Sequence, residues 1–224
     1  MKIAFISDTH NNYVDIDPVD LIIHCGDFCH AGRKVTQGMI QWETSIRAQF
    51  KRWRDIAPII AIPGNHDFIA EECSQWLKEE FQSIDCKLLI HEETEFNGLK
   101  IFGTPYQKIF HNWAFNLLNK DLERKINQIP YCDILISHVP PYGIFDITKA
   151  SILDSPEDML NDEFSRSGCK FLLNKVLDIK PRICCFGHIH RWGGHRYIND
   201  TIYINCAVTD EKYLPENSPI YLAI

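Results

Sequence analysis

Short apolar runs recur along the chain, and each of them ends in a polar loop. The runs lie at residues 3–6, 21–23, 59–62, 134–136 and 183–186. Continuous apolar runs of this length are typical of strands that are buried on both faces. Helical spacing of apolar residues lies between them, at 35–56, 70–83, 114–128 and 167–178. This alternation of strands and helices predicts an α/β sheet.

A second group of predicted strands has no helical pattern between its members. These strands lie at 87–91, 93–96, 99–102, 195–198, 201–204 and 220–222. Asn97-Gly98 and Asn199-Asp200 are turn signals between two of the pairs. Antiparallel hairpins added to an α/β core predict two sheets packed against each other. The length suits one domain that spans residues 1–224.

Charge and composition narrow the class of function. The net charge of −7 disfavours long nucleic acids as substrates. No apolar stretch approaches the ~20 residues that cross a bilayer, so we expect no membrane segment. The nine cysteines are odd in number and scattered, which favours reduced thiols in a cytoplasmic protein. Cys29 adjoins one polar loop, where packing or redox sensitivity would explain it.

The polar residues that follow the buried runs carry the candidate chemistry. They are Asp8 and His10 after the first run, Asp27 after the second, Asn65, His66 and Asp67 after the third, His138 after the fourth, and His188 and His190 after the fifth. Ligands bind outside the carboxyl ends of strands in open α/β sheets, so these loops should converge. The pair Asp8 and His10 offers two donors about 6.5–7 Å apart in extended chain. That spacing suits two neighbouring metal ions, with Asp27 as the bridging carboxylate.

Carboxylate, imidazole and amide donors without a thiolate favour manganese, iron or zinc over copper or a structural zinc site. Each motif taken alone has an ordinary explanation, because Asp-x-His and Gly-Asp are common in turns and a histidine pair can simply face solvent. Their joint occurrence at the ends of successive strands favours the metal site. Two divalent ions would attract phosphate even in an acidic protein.

The motifs DxH, GD, GNHD, H and GHxH occur here in the order found in the calcineurin-like metallophosphoesterase superfamily, which the chain resembles. Longer strings, among them SDTHN, HCGDF, GTPYQKIFHNWAFN and DILISHVPPYG, resemble its MPPED branch of cyclic-nucleotide-type phosphodiesterases. Together with the stretch from GCKFLLNKVLDIKP to YINCAV, these strings cover nearly the whole chain. The resemblance implies a four-layer α/β/β/α sandwich of two packed mixed sheets flanked by helices. It also implies two divalent ions, manganese first and iron or zinc as alternatives.

The resemblance also implies a role for each site residue. One ion would be held by Asp8, His10, Asp27 and His190, and the other by Asp27, Asn65, His138 and His188. A metal-bound hydroxide would attack phosphorus in line, while His66 stabilises or protonates the leaving oxygen. Several relatives carry a carboxylate that pairs with the catalytic histidine at the position of His30. This departure leaves His30, Asp67 or a water as the group that supports His66.

The sequence defines the substrate less specifically than it defines the metal ligands. The chain reads GDFCHAG where protein phosphatases and dinucleoside-polyphosphate hydrolases show GDxVDRG, so a phosphodiesterase on small nucleotides is favoured. Asn65 and His66 are expected to face the substrate. Tyr106 and Trp113, in a loop rich in aromatic residues, would stack on a base or pack as core or lid. Arg191 would bind a phosphate oxygen or form an exposed salt bridge.

Two alternatives stay open at this point. The same site would serve a phosphomonoesterase or a nuclease, and a metal-stabilised binding or scaffold protein would need no turnover. The sequence leaves the substrate, the metal pair and the oligomeric state open.

Overall fold

The computed structural model of the protein describes residues 1–30, 34–148 and 166–224, whose strands form two large sheets and a short ribbon. The strands are β1 (Lys2–Ile6), β2 (Leu21–His24), β3 (Ile59–Ala61), β4 (Lys87–Leu88), β5 (Glu92–Phe96), β6 (Leu99–Thr104), β7 (Gln107–Lys108), β8 (Asn116–Leu117), β9 (Ile134–Ser137), β10 (Ile183–Phe186), β11 (Gly194–Ile198), β12 (Thr201–Asn205) and β13 (Ile220–Ala223). All five predicted buried runs are strands.

The helices follow the predicted segments with two differences. They are α1 (Val35–Gln41), a π-helical turn (Trp42–Ile46), α2 (Arg47–Arg54), α3 (Phe68–Glu72), α4 (Ser74–Ser83), α5 (Asn119–Asn127), α6 (Lys170–Ile179) and a 3₁₀ turn (His190–Trp192). The helix predicted at 114–128 begins later than expected. Phe115 has a φ of 60°, which an α-helix does not accept, and its amide donates to Glu71 Oε1 at 2.6 Å. The helix predicted at 70–83 is divided at Cys73 between α3 and α4.

The five buried strands are divided between the two sheets. The first sheet has the order β13-β1-β2-β3-β4, in which only β13 is antiparallel to its neighbour. The second has the order β11-β12-β10-β9-β6-β5, with antiparallel strands at both edges. The predicted hairpins therefore form no sheet of their own. Their inner strands β6 and β12 are buried and pair in parallel with β9 and β10, as in the register of Ile101 opposite Ile134.

Three apolar clusters complete the predicted four layers. One lies between the sheets and includes Ile23, Ile60, Ile136 and Cys185. A second packs α1 to α4 on the outer face of the first sheet, and a third packs α5 and α6 on the outer face of the second. All nine cysteines are free thiols, and burial raises the pKa of Cys29 well above its usual value, which favours packing for this residue. Among the described residues, no helix has the length and apolar character needed to cross a membrane.

Candidate metal centre

The loops that follow five strands meet at one edge of the sandwich. The first sheet brings Asp8, Asp27 and Asn65 from the ends of β1, β2 and β3, and the second brings His138 and His188 from the ends of β9 and β10. Three of these residues leave their strands with a left-handed backbone, since φ is 55° at Asp8, 57° at Asp27 and 67° at His188. Non-glycine residues seldom adopt this conformation, and such strain concentrates at functional sites.

Two glycines make room for the carboxylates. A Cβ atom at Gly187 would lie 2.0 Å from Asp8 Oδ2, and one at Gly64 would lie 2.3 Å from Asp27 Oδ1. Real Cβ atoms essentially never approach a neighbour so closely. The glycines of the GNHD and GHxH motifs are therefore required by the close approach of backbone to carboxylate.

The first group of donor atoms consists of Asp8, His10 and His190. The Nε2 atoms of the two histidines lie 3.3 Å apart, and His190 Nε2 lies 3.2 Å from Asp8 Oδ1. Their Nδ1 atoms face the backbone oxygens of Cys29 at 3.1 Å and Asp210 at 2.7 Å. Because a carbonyl only accepts, each Nδ1 donates its proton and each Nε2 is directed at the shared space. Two nitrogens bound tetrahedrally at ~2.0–2.1 Å from one zinc-like ion would be about 3.4 Å apart, so this group fits a single ion.

The second group is centred on Asn65. Its Oδ1 atom lies 2.8 Å from His138 Nε2 and 2.7 Å from His188 Nδ1. His138 Nε2 is also 3.3 Å from Asp27 Oδ2, and its Nδ1 donates to the backbone oxygen of Cys25 at 2.9 Å. An amide oxygen, a carboxylate and two imidazoles thus converge on a second point.

Asp27 lies between the two groups. Its Oδ2 atom is 4.0 Å from His10 Nε2, 3.3 Å from His138 Nε2 and 3.8 Å from His66 Nε2. Within the described part of the chain, three sets of side chains meet the geometric requirement for holding an ion: Asp8, His10 and His190; His10, Asp27 and His66; Asp8, Asp27 and His138. The position of Asp27 suits a bridging carboxylate. His66, which the sequence predicts to be an acid, also lies within reach of an ion.

Histidine neighbours keep both central carboxylates ionised. Burial alone would raise the pKa of Asp8, but the hydrogen bond from His190 and the charges of His190 and His138 hold that pKa well below its usual value. At Asp27 burial is likewise opposed by the charge of His138 and by its hydrogen bond, and the pKa of Asp27 is also held well below the usual value. Two buried anions side by side are expensive unless cations lie between them.

Most of the imidazoles remain neutral, as ligands must be. Burial lowers the pKa of His10 to about 4, and burial with the charge of His138 lowers that of His188 to about 3. Burial also lowers the pKa of His66. His190 and His138 are exceptions. Burial is outweighed at His190 by the hydrogen bond and charge of Asp8, which raise its pKa. At His138 the Asp27 carboxylate outweighs burial and raises the pKa to about 9. The proton that His138 gains lies on Nε2, the atom that would bind a divalent ion.

The expected partnership of Asp67 with His66 is wrong. One Asp67 oxygen accepts from the amides of Asp27 at 2.9 Å and Gly64 at 2.7 Å, and the other accepts from the amide of Cys29 at 2.8 Å. The carboxylate is fully buried, and burial with the charge of Asp27 raises its pKa to about 7. Asp67 therefore fixes the backbone of the site rather than the ring of His66.

His30 does not support His66 either. Among the described residues His66 Nδ1 has no hydrogen-bond partner, although the atom is buried. The His30 ring lies edge-on to His10, with centroids 6.5 Å apart, and its backbone amide donates to Gln41. Trp113 instead stacks on the His66 ring, with centroids 4.3 Å apart and planes inclined by 24°.

Sequence analysis missed Tyr213. Its ring lies 4.5 Å from that of His10, 5.6 Å from that of His66 and 5.7 Å from that of His190, measured between centroids. The residue has a φ of 63°, and its carbonyl accepts from Asn12 Nδ2 at 2.8 Å. It is a lone aromatic residue in an irregular loop, so no sequence pattern predicts its place beside the centre.

A cavity of about 490 Å³ opens over the centre. Asn65, His66, Trp113 and Arg191 line it as predicted, together with Lys108, Phe110, His111 and Tyr213. Tyr106 does not line it. Its half-buried ring packs against His91 and Phe115, with Lys125 Nζ 5.1 Å from its centroid, so the expected substrate contact of Tyr106 is corrected to a packing role.

A sandwich of two mixed sheets, with carboxylate, imidazole and amide donors collected at the strand ends, has the architecture of a metallophosphoesterase. The chain belongs to the calcineurin-like phosphoesterase family, whose family model matches residues 1–192. It is 32% identical over 251 residues to metallophosphoesterase domain-containing protein 1 of Homo sapiens, an alignment that covers 99% of this chain and 70% of that protein. The Mus musculus protein of the same name matches equally.

Solved structures show the same fold. Phosphopantetheinyl hydrolase from Mycobacterium tuberculosis aligns with a TM-score of 0.57 at 13% identity, over 95% of this chain and 90% of that one. A putative 5′-nucleotidase from Staphylococcus aureus aligns with a TM-score of 0.54 at 15% identity, over 99% of this chain and 54% of that one. At such identities the likeness concerns the fold alone.

Proposed function

We propose that this protein is a dinuclear metal-dependent phosphodiesterase that acts on small phosphoesters, with cyclic nucleotides as the first candidates. One observation carries the proposal. Asn65 Oδ1 lies within 2.8 Å of nitrogens of both His138 and His188. Asp27 Oδ2 joins this group to that of Asp8, His10 and His190, because it lies 3.3 Å from His138 Nε2 and 4.0 Å from His10 Nε2. Two groups of donors that share a carboxylate are what a two-metal site requires. Membership of the family supports phosphoester hydrolysis.

In this proposal each group holds one ion. The first ion is bound by Asp8, His10, Asp27 and His190, and the second by Asp27, Asn65, His138 and His188. Two divalent ions supply a nucleophilic water at neutral pH and neutralise charge on the phosphoryl group. Donors of this kind suit manganese first, with iron or zinc as alternatives.

The chain's own residues bind the substrate and handle the proton. His66 Nε2 faces the centre at the floor of the cavity, 3.8 Å from Asp27 Oδ2, where it would protonate the leaving oxygen. A diester with an alkyl leaving group, such as a cyclic nucleotide, needs this proton because an alkoxide is a poor leaving group. Phe110 and Trp113 offer an apolar wall to the nucleoside part, and Arg191 lies where it would pair with a phosphate oxygen.

The cavity supports a small substrate more than a macromolecule. Its volume of about 490 Å³ suits a nucleotide, and the net charge of −7 would repel a long polyanion. The nine free thiols support a cytoplasmic location. We propose no macromolecular partner for the reaction.

Metal removal and reconstitution test the proposal. The protein is stripped with a chelator, reloaded with manganese, zinc or ferrous iron, and assayed on bis- and mono-nitrophenyl phosphate and on 2′,3′- and 3′,5′-cyclic nucleotides. We expect no turnover without metal and faster turnover of diesters than of monoesters with it. Undiminished activity after complete metal removal would contradict the two-metal site. Faster turnover of monoesters than of diesters would indicate a phosphomonoesterase. Stoichiometric metal binding without turnover of any substrate would indicate a binding protein.

A further inference from the structure

We infer that Trp113 is the positioning residue for His66. Its indole stacks on the imidazole and thereby takes the place of a carboxylate that would hold the histidine by a hydrogen bond. The inference rests on the proposed role of His66 as the acid. It concerns a group of the centre whose orientation no hydrogen bond from the described part of the chain explains.

The orientation of His66 needs an account because its second nitrogen is unsupported. The residue is only 6% exposed, yet its Nδ1 atom has no hydrogen-bond partner within the described residues. By contrast, Nδ1 of His10, His190 and His138 each faces a backbone carbonyl within 3.1 Å. Both oxygens of Asp67, the nearest carboxylate in sequence, are engaged by backbone amides.

Ring contacts hold the His66 imidazole instead. Trp113 stacks on it with centroids 4.3 Å apart and planes inclined by 24°, while His10 meets it edge-on at 4.7 Å and 74°. Stacking of aromatic rings contributes about 0.5–1.5 kcal/mol beyond the area that it buries. Contacts on two sides oppose tilting of the ring and so favour the orientation in which Nε2 faces the centre.

The backbone next to Trp113 is itself tied to the segment that carries His66. The amide of Ala114 donates to the carbonyl of Asn65 at 3.2 Å, and Gln107 Nε2 donates to the carbonyl of Ala114 at 3.0 Å. The next amide, of Phe115, donates to Glu71 Oε1 at 2.6 Å. Trp113 is thus placed by the hydrogen bonds of the two residues that follow it in the chain. One of them ends on the residue next to His66.

Steady-state kinetics test the inference with the metal-loaded protein. Trp113→Leu removes the stack and Trp113→Phe retains it, while Tyr131→Leu removes an exposed aromatic that lies away from the cavity. We expect kcat on a diester with an alkyl leaving group to fall about 10–100-fold in Trp113→Leu, because misplacement of a catalytic group by 1 Å costs about this much. Trp113→Phe should recover most of the loss. Bis-nitrophenyl phosphate should be affected less, because nitrophenolate leaves without a proton.

A double-mutant cycle separates positioning from substrate contact. If Trp113 acts through His66, Trp113→Leu should cause no further loss of kcat in a His66→Ala background. Additive losses, or a loss confined to KM, would overturn the inference and leave the proposed function standing. If His66→Ala itself leaves kcat unchanged, the proposed acid is wrong and the inference falls with it.

Nuclear magnetic resonance gives a readout that does not depend on activity. In metal-free protein with ¹⁵N-labelled histidine, the ring signals of His66 are assigned by their loss in His66→Ala. The stacked indole shifts these signals by its ring current, so Trp113→Leu should move them while Tyr131→Leu leaves them in place. His66 signals that do not move in Trp113→Leu would overturn the inference.

Discussion

The carboxylate of Asp67 accepts a hydrogen bond from the backbone amide of Asp27 at 2.9 Å, so one loop of the metal centre fixes the backbone of another. The same carboxylate accepts from the amides of Gly64 and Cys29. Three buried amides therefore depend on one side chain. A hydrogen bond contributes about 0.5–1.5 kcal/mol to stability, and amides that lose a buried partner are costly.

Replacement of Asp67 by alanine should damage both stability and metal binding. We expect a loss of about 3 kcal/mol of unfolding free energy in the metal-free protein, because the three amides lose their acceptor. Manganese affinity should fall about 10–100-fold, as it does when outer partners of metal ligands are removed. Urea unfolding and a manganese titration measure the two effects. The control is Asp178→Ala, at an exposed position of α6, whose unfolding free energy should stay within about 0.5 kcal/mol of wild type. An equally small change in Asp67→Ala would show that Asp67 does not stabilise the loops of the centre.

Replacement of Gly187 by alanine should remove the first ion. The new Cβ would lie 2.0 Å from Asp8 Oδ2 and 2.2 Å from Ser7 Oγ, so the carboxylate must move. We expect metal content to fall by about half with activity lost. Elemental analysis and a diesterase assay measure this.

Gly98→Ala is the matched control. Gly98 lies in a turn with a φ of +80° and nothing within 4 Å of its added Cβ, so strain should cost about 1 kcal/mol with metal content unchanged. Equal metal content in both variants would show that the Gly187 contact can relax.

Replacement of His66 by alanine should leave metal content near that of wild type and lower kcat by about 10²–10⁴, the contribution of a general acid. His66 nevertheless lies with His10 and Asp27 in a group that could hold an ion. Elemental analysis beside the kinetics decides between the two roles. Loss of metal together with activity would make His66 a ligand.

Replacement of His188 by glycine should weaken the second ion selectively. The imidazole lies 2.7 Å from Asn65 Oδ1, and glycine accepts the φ of 67° at this position without strain, so the fold should survive. We expect a higher manganese concentration for half-maximal rate and a lower plateau. His195→Ala, on exposed β11, is the control. Activation curves that superimpose on wild type would exclude His188 from the working site.

The strand ends could be predicted because their signal is local. Each buried run and the polar residues after it, such as Ile134 to His138, are adjacent in sequence. Sheet membership could not be predicted in the same way, since pairing joins segments as distant as β6 and β9. The helical spacing at 114–128 was misleading in its first turn, where contacts with Glu71 and Asn65 override the local pattern.

The sequence predicts which residues form the site better than it predicts which atoms each of their side chains contacts. Asp67 sits in a motif with His66, yet its partners are amides of which two lie 38 and 40 residues away. Tyr106 and Trp113 share one aromatic loop, and only the fold directs one to the core and the other to His66. These side-chain contacts depend on the backbone conformation of the loop, which the sequence pattern does not specify.

The centre takes donors from both sheets, and the apolar layer between those sheets therefore sets its dimensions. Side chains such as Ile23, Ile136 and Cys185 determine how far apart the sheets lie, and with them the distance from Asp27 to His138. A larger residue in this layer would widen the gap between the two sets of ligands without touching any of them. Interior volume and catalytic geometry are thus linked, so variation far from the cavity would change the reaction.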